Sequence, residues 1–355
     1  MALLFTPLKM GAQTLPNRIC VPPMCCCLAR EGVGSDELIA HYEKLAASGA
    51  GLVVIEATAV RADGRITTRC LGLYNDEQER FFKRLLKACR AVAPAETKFF
   101  LQLSHCGRKG SRKDPKTGHG TLLPEEGGFA LMAPSAVAYT PHAPMPREMT
   151  EADIDQMLQA FEAAAHRAAH VGFDGIQIHA AHGYLVHQFL SPVTNRRTDN
   201  WGGSLQNRQR FALEVVKAVQ RGAPGLDVMV RLSACDWMQN GADEEQALSL
   251  ACALAALNIC AVDVSSGGID PAQQPPASLT AAHTLFAHHI KEKARIVTFT
   301  SGGIVEPLQA EEILRSQDAD AVCIGREMIK NPSWVWAAAQ SLGNPVQTPV
   351  FAAAF

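Results

Sequence analysis

GLVVIEATAV, Gly51–Val60, is apolar almost without interruption. A strand with one solvated face alternates apolar and polar residues; this run does not, so both of its faces must be covered. That pattern predicts a strand of a parallel sheet flanked by helices. Seven further runs of the same kind punctuate the chain: RICVPP from Arg18, KFFLQLSH from Lys98, DGIQIHA from Asp174, VMVRLSA from Val228, AVDVSSG from Ala261, RIVTFTSG from Arg295 and AVCIGR from Ala321.

Helical patterns lie between these runs. The clearest starts at Thr150, where Thr150 and Asp153 fit a capping box. Ile154, Met157, Leu158 and Phe161 then fall at i, i+3, i+4 and i+7, one apolar stripe along a helix. Other helices are expected from near Asp36, Glu77, Asn207, Asp243, Thr280, Pro307 and Asn331. Eight strands alternating with eight helices predict a single (β/α)8 TIM barrel over residues 1–355, without a linker or second core. A doubly wound open sheet is the competing architecture, and the strand count favours closure. One gap interrupts the rhythm. From about Cys106 to Met149 the chain is rich in Gly, Pro and charge and has little periodicity. It is expected as an excursion between the third strand and its helix, a lid with a short hairpin.

Composition narrows the function. Net charge is −2 with no Lys/Arg run, which argues against a nucleic-acid partner or an anionic membrane surface. No apolar run reaches the roughly 18 residues of a membrane span. The first residues, MALLFTPLKM, lack the basic and long apolar segments of a signal peptide. Eleven cysteines, with Cys25, Cys26 and Cys27 adjacent, form no CxxC pair. In a chain this large they read as small buried apolar residues of a reducing cytoplasm.

In such barrels the chemistry lies at the C-terminal ends of the strands. Those ends read Pro23-Met24-Cys25, Glu56-Ala57-Thr58, Gln102, His179 with His182 and Tyr184, Arg231, Ser265-Ser266-Gly267, Gly302-Gly303 and Gly325-Arg326. Glycines after strands seven and eight let backbone N–H groups approach an anion, and Arg326 adds a fork of donors. This pairing points to a phosphate site.

HAAHGYLVHQF, His179–Phe189, admits three readings. His179, His182 and His187 could hold a metal for hydrolysis, but no Asp/Glu/Cys set at ligand spacing accompanies them, and no metal is expected. They could be packed structural histidines. Or His179 and His182 could each donate an N–H to one carbonyl oxygen and stabilise charge that develops there. Tyr184, protonated at neutral pH with an ordinary pKa of about 10, could then deliver a proton.

PPMC at Pro22–Cys25, GRIT at Gly64–Thr67, QLSHCGRK at Gln102–Lys109, HAAHGYLVHQFLSP at His179–Pro192, NRRTDNWGGSLQNRQRF at Asn195–Phe211 and IGRE at Ile324–Glu327 together resemble the Old Yellow Enzyme family of FMN-dependent ene-reductases. The cysteine after PM is similar to the branch of thermophilic-like enzymes and xenobiotic reductases. The likeness runs from Leu4 to about Leu342. It implies a barrel with non-covalent FMN, reduced by NADPH or NADH, which passes a hydride from flavin N5 to the alkene of an enone or nitro substrate. It implies that His179 and His182 hold the substrate oxygen and Tyr184 supplies the proton. It places Arg231 near flavin N1, Gln102 on the pyrimidine edge, and Pro22, Pro23, Met24 and Ala57 alongside. Cys25 would tune the flavin, and Gly302, Gly303, Gly325 and Arg326 would hold its phosphate.

The Asn195–Phe211 motif reads as structural, with Gly202 and Gly203 in a turn and Ser204 capping the helix that carries Asn207 and Arg208. Two features depart from the branch. Cys27 stands where a substrate-binding tyrosine is usual, so the pocket is expected to be wider there. The chain ends FAAAF, without the arginine that some relatives send into a neighbour's site, so a homo-oligomer stays open. A non-enzymatic flavin-binding module is the remaining alternative.

Overall fold

The computed structural model describes residues 2–116, 118 and 120–344; the terminal FAAAF lies outside them. Eight strands close on themselves: β1 (Ile19–Val21), β2 (Leu52–Ala59), β3 (Lys98–Ser104), β4 (Gly175–Ala180), β5 (Asp227–Ser233), β6 (Ala261–Ser265), β7 (Thr298–Thr300) and β8 (Ala321–Cys323). Every neighbouring pair is parallel, and β8 returns to β1 through Val322 opposite Ile19. The barrel is the one the strand count predicts. Several strands are shorter than the runs that announced them, for local reasons. β1 stops at Val21 because Pro22 has no N–H to give the ladder. β7 starts at Thr298 because Arg295 takes a left-handed conformation (φ 52°) at a helix end.

Eight helices surround the barrel: α1 (Asp36–Ala46), α2 (Asp76–Val92), α3 (Glu151–Val171), α4 (Leu205–Gly222), α5 (Glu244–Ala255), α6 (Leu279–Ala294), α7 (Pro307–Arg315) and α8 (Trp334–Ser341). Six start alike: the side chains of Ser35, Asn75, Thr150, Ser204, Asp243 and Ser278 accept the N–H three residues on. At α3 the capping box is complete, with Thr150 N donating to Asp153 Oδ2 at 2.7 Å. The helix expected from Asn331 begins at Trp334, preceded by a short turn of helix at Arg326–Lys330. A second short helix, Leu185–Leu190, follows β4. No described helix is long and apolar enough to cross a membrane.

Strand alternation explains why Gly51–Val60 is apolar throughout. Leu52 and Val54 join Phe100, Met229, Ala261 and Phe299 inside the barrel, whereas Val53 and Ile55 pack outward among the helices. A hairpin, Leu8–Met10 with Gln13–Leu15, closes the lower end, and its Leu8, Met10 and Leu15 join the interior cluster. Above this apolar floor the interior turns polar, with Gln102, Gln177, Arg231 and Asp263 facing one another beneath the strand ends.

The excursion leaves after β3 and rejoins at α3. Its expected hairpin is a single antiparallel bridge, Arg112 opposite Thr121, while Met132–Ala133 pairs Arg147–Glu148 in parallel. Two arginines fasten it. Arg108, 1% exposed, donates to Val137 O, Ala138 O and Ile269 O at 3.2, 2.9 and 2.7 Å. Arg197, from the Asn195–Phe211 motif, donates to Pro134 O and Met149 O. Ser204 caps α4, and Asn195 bridges Phe189 O and Trp201 O, so that motif is a strap between elements.

Candidate active site

A cavity of about 420 Å³ opens over the strand ends. Pro22, Pro23 and Met24 form one wall, Arg231 lies along it, and Gly302, Gly303, Gly325 and Arg326 surround the far end with Lys330. The loops after β7 and β8 therefore meet where the sequence implied a phosphate. Gly302 adopts φ +112°, and a Cβ there would come 2.7 Å from His283 Nδ1, so the loop must stay bare. Three cationic side chains, uncovered backbone and an apolar wall suit a planar ring with an anionic tail. Gln102, Ala57, Cys25 and Cys27 do not line this cavity. Gln102 sits below it in the barrel, Ala57 is buried at the end of β2, and Cys25 is exposed beyond Met24. Cys27, left-handed at φ 55°, faces Thr67 and Cys70.

The histidine cluster is built by a sharp turn after β4. His182 is left-handed (φ 57°) and Gly183 follows at φ +73°, where a Cβ would lie 2.1 Å from Gly268 O. That geometry returns the chain at once, so His179, His182 and Tyr184 face one another. Ring centroids are 5.2 Å apart for His179 and His182 and 4.9 Å for His179 and Tyr184, with edge-to-face interplanar angles of 84° and 66°. His187 does not join them. Its Nδ1 accepts from Gly183 N–H at 2.8 Å and its Nε2 lies 2.9 Å from Asp236 Oδ1, so both ring nitrogens are engaged in bracing the turn. Among the described residues no group of three or more His, Cys, Asp or Glu is arranged for a metal ion.

Electrostatics set the protonation of this group. Shielding from solvent, then the nearby charges of Arg231 and Lys109, hold His179 and His182 well below the ordinary histidine pKa. Each ring is therefore neutral at pH 7 and has one N–H to donate. Burial pushes the Tyr184 hydroxyl up, so it keeps its proton. His179 Nδ1 accepts from Ala181 N–H at 3.3 Å, which leaves its proton on Nε2. The His182 backbone N–H donates to Ser233 Oγ at 3.0 Å, and its Nε2 lies 2.6 Å from Ser265 Oγ.

Lys109 ends the QLSHCGRK motif, where the sequence gives it no role of its own. Its Nζ donates to His182 O and Gly268 O at 2.7 and 2.8 Å and sits 5.0 Å over the Tyr184 ring and 4.9 Å over Tyr139. Burial, then Arg112 and Arg108, lower its pKa to about 7. Beneath the site, Gln102 Nε2 donates to Gln177 Oε1 at 2.7 Å and Gln177 Nε2 to Asp263 Oδ2 at 3.2 Å. Lys109, Gln177, Asp263 and His283 carry no local signature of a role: each becomes visible only when distant strand ends are brought together.

A closed parallel barrel with this bare, cationic pocket beside paired imidazoles and a tyrosine defines a flavin-dependent oxidoreductase. A family model described as NADH:flavin oxidoreductase / NADH oxidase family matches residues 3–344. An NADPH dehydrogenase of Listeria welshimeri is 40% identical over 351 residues, 98% of each chain. Morphinone reductase superposes with a TM-score of 0.79 at 28% identity, covering 98% of this chain and 91% of its own. The Old Yellow Enzyme homologue of Zymomonas mobilis superposes at 0.78 and 28% identity, covering 98% and 95%. The chain belongs to this NADH:flavin oxidoreductase family, the family of Old Yellow Enzyme. It is an oxidoreductase that uses FMN and draws its reducing equivalents from a nicotinamide nucleotide.

Proposed function

We propose that this protein reduces the carbon–carbon double bond of α,β-unsaturated carbonyl or nitro compounds. The observation that carries this reading is the convergence of His179, His182 and Tyr184 at the end of β4. FMN, when bound, would supply the hydride for the substrate alkene, with NADPH or NADH as its source. Pro22, Pro23 and Met24 would border its ring, with Gly302, Gly303, Gly325 and Arg326 on its phosphate, making residues 1–355 one FMN-binding unit. Arg231 would counter negative charge that gathers on the ring's pyrimidine side during reduction.

His179 and His182 hold the substrate oxygen. Their N–H groups polarise the conjugated bond and stabilise the enolate-like or nitronate-like charge that builds on that oxygen. Being neutral, they donate without surrendering their protons. Tyr184 protonates the α-carbon, and Lys109 over its ring stabilises the resulting phenolate.

The purified protein should be yellow, bleach when titrated anaerobically with NADPH or NADH, and regain colour on adding 2-cyclohexenone or a nitroalkene with stoichiometric saturated product. A protein that bleaches yet is reoxidised by no activated alkene would sink the substrate assignment.

A further inference from the structure

We propose that Cys27 and Cys70 form a dithiol site that reduces hydrogen peroxide and closes to a Cys27–Cys70 disulfide, a reaction separate from the flavin chemistry.

No CxxC spacing relates the two residues in the sequence; folding brings them together. The segment after β1 runs beside the turn that follows β2. Ala29 N–H donates to Arg69 O at 3.0 Å, Gly72 N–H to Gly32 O at 3.0 Å, and Arg69 Nε to Cys27 O at 3.3 Å. Between these bonds the thiols meet at one residue. Thr67 Oγ1 lies 3.9 Å from Cys27 Sγ and 3.5 Å from Cys70 Sγ, and Thr67 N–H donates to Cys70 Sγ at 3.4 Å. The two thiols also hydrogen-bond each other. With the backbones already paired around them, side-chain rotation brings the sulfurs to bonding range. The neighbouring cysteines are turned elsewhere. Cys26 Sγ donates to Met24 O at 3.4 Å and its N–H to Glu56 Oε2, while Cys25 is exposed beyond Met24.

The sulfurs are not equivalent. Cys70 is 3% exposed and gathers the Thr67 N–H and the Cys27 S–H, with the Thr67 hydroxyl beside it. The bond from Cys27, backed by Thr67 and opposed by burial, lowers the Cys70 pKa; the same bond raises that of Cys27. Cys70 is thus the attacking thiolate. Cys27, half-buried, keeps its proton and forms the more open side of the pair.

The chemistry balances with the peroxide as oxidant. The Cys70 thiolate attacks one peroxide oxygen; an S–O bond forms, the O–O bond breaks, and the second oxygen leaves as water with the Cys27 proton. The Cys27 thiolate then attacks the Cys70 sulfenic sulfur. An S–S bond forms, the S–O bond breaks, and hydroxide departs, taking a proton from solvent to become a second water. The peroxide gains two electrons and the two sulfurs together lose two.

The test treats FMN-loaded enzyme, flavin oxidised and without nicotinamide, with stoichiometric hydrogen peroxide. Remaining thiols are alkylated and peptides mapped without reductant. Two of the eleven thiols should disappear, fragmentation should join Cys27 to Cys70, and dithiothreitol should restore both. Thr67→Val should slow thiol loss at pH 7 by about tenfold. Cys27→Ser should stop at a Cys70 sulfenic acid that dimedone traps. Thiols untouched by peroxide, a Cys70 sulfinic acid without a cross-link, or a bond from Cys70 to Cys25 or Cys106 would overturn the site. An unchanged rate in Thr67→Val, or no dimedone adduct on Cys70 in Cys27→Ser, would overturn Cys70 as the attacking sulfur.

Discussion

Arg231 Nε lies 3.2 Å from Asp263 Oδ2, and Asp263 is fully buried in the barrel beneath the cavity. Burial raises the Asp263 pKa, and Arg231, Gln177 and Cys323 oppose that rise. The carboxylate therefore offsets part of the arginine charge that faces the cofactor. Asp263→Asn should leave Arg231 uncompensated and favour the reduced, more anionic flavin. The expected result is a more positive FMN midpoint potential, by on the order of 30 mV (~1.4 kcal/mol for a two-electron couple), in a dye-coupled reductive titration. A potential that is unchanged or lower while FMN stays bound would refute this.

Glu56 gives a pH dependence of stability. Its Oε2 accepts from Cys26 N–H at 2.9 Å, its Oε1 has no hydrogen-bond partner among the described residues, and burial lifts its pKa from 4.5 to about 8. Below pH 4.5 the carboxyl is protonated in folded and unfolded chains alike, and its contribution is fully present. Between 4.5 and about 8 only the unfolded chain releases the proton, so stability falls as pH rises. Glu56→Gln should remove that slope. Urea midpoints at pH 5 and 8 should show the variant gaining on the unaltered enzyme by more than about 1.4 kcal/mol, the worth of one pKa unit. Parallel curves would count against it.

Tyr184→Phe separates proton delivery from flavin reduction. The phenol acts only on the alkene, so stopped-flow traces should show reoxidation by 2-cyclohexenone slowed about 10²-fold and reduction by nicotinamide nearly unaffected. Equal slowing of both half-reactions would remove the proton-donor role.

Lys109 should impose its own pH profile on the same half-reaction. Its ammonium is present below about pH 7 and lost above, so support for the Tyr184 phenolate fades as pH rises. Reoxidation in the unaltered enzyme should fall through that inflection. Lys109→Arg keeps its charge at every accessible pH and should flatten the curve; an inflection that survives would assign it to another group.

What the chain discloses before folding divides along physical lines. The eight strands are plain because each buries both faces, and Thr150–Phe161 is plain because cap and stripe lie in one window. The glycines after β7 and β8 and the His179–Tyr184 turn are also local, and the structure brings each group together. The hairpin at Leu8–Leu15 escapes sequence reading because two three-residue strands carry no period. Ser265 escapes as a partner of His182 because 83 residues separate them, and Asp263 beneath Arg231 for the same reason. Hydrogen bonds across a barrel are set by register, which only closure fixes.

Arg108 ties the excursion to the barrel, and its loss should be felt in two ways. The guanidinium satisfies Val137 O, Ala138 O and Ile269 O and lies 3.3 Å from Asp270 Oδ2. Arg108→Met keeps most of the buried stem but leaves those carbonyls without their donor, at about 1–3 kcal/mol for each one that water cannot reach. A total loss of about 2–5 kcal/mol in chemical denaturation is expected. The barrel strands do not depend on this contact, so limited proteolysis should cut first between residues 106 and 149 while the remaining core persists. A variant that loses stability yet is cleaved first elsewhere would show that Arg108 supports the barrel mouth as a whole, and would remove its role as the anchor of the excursion.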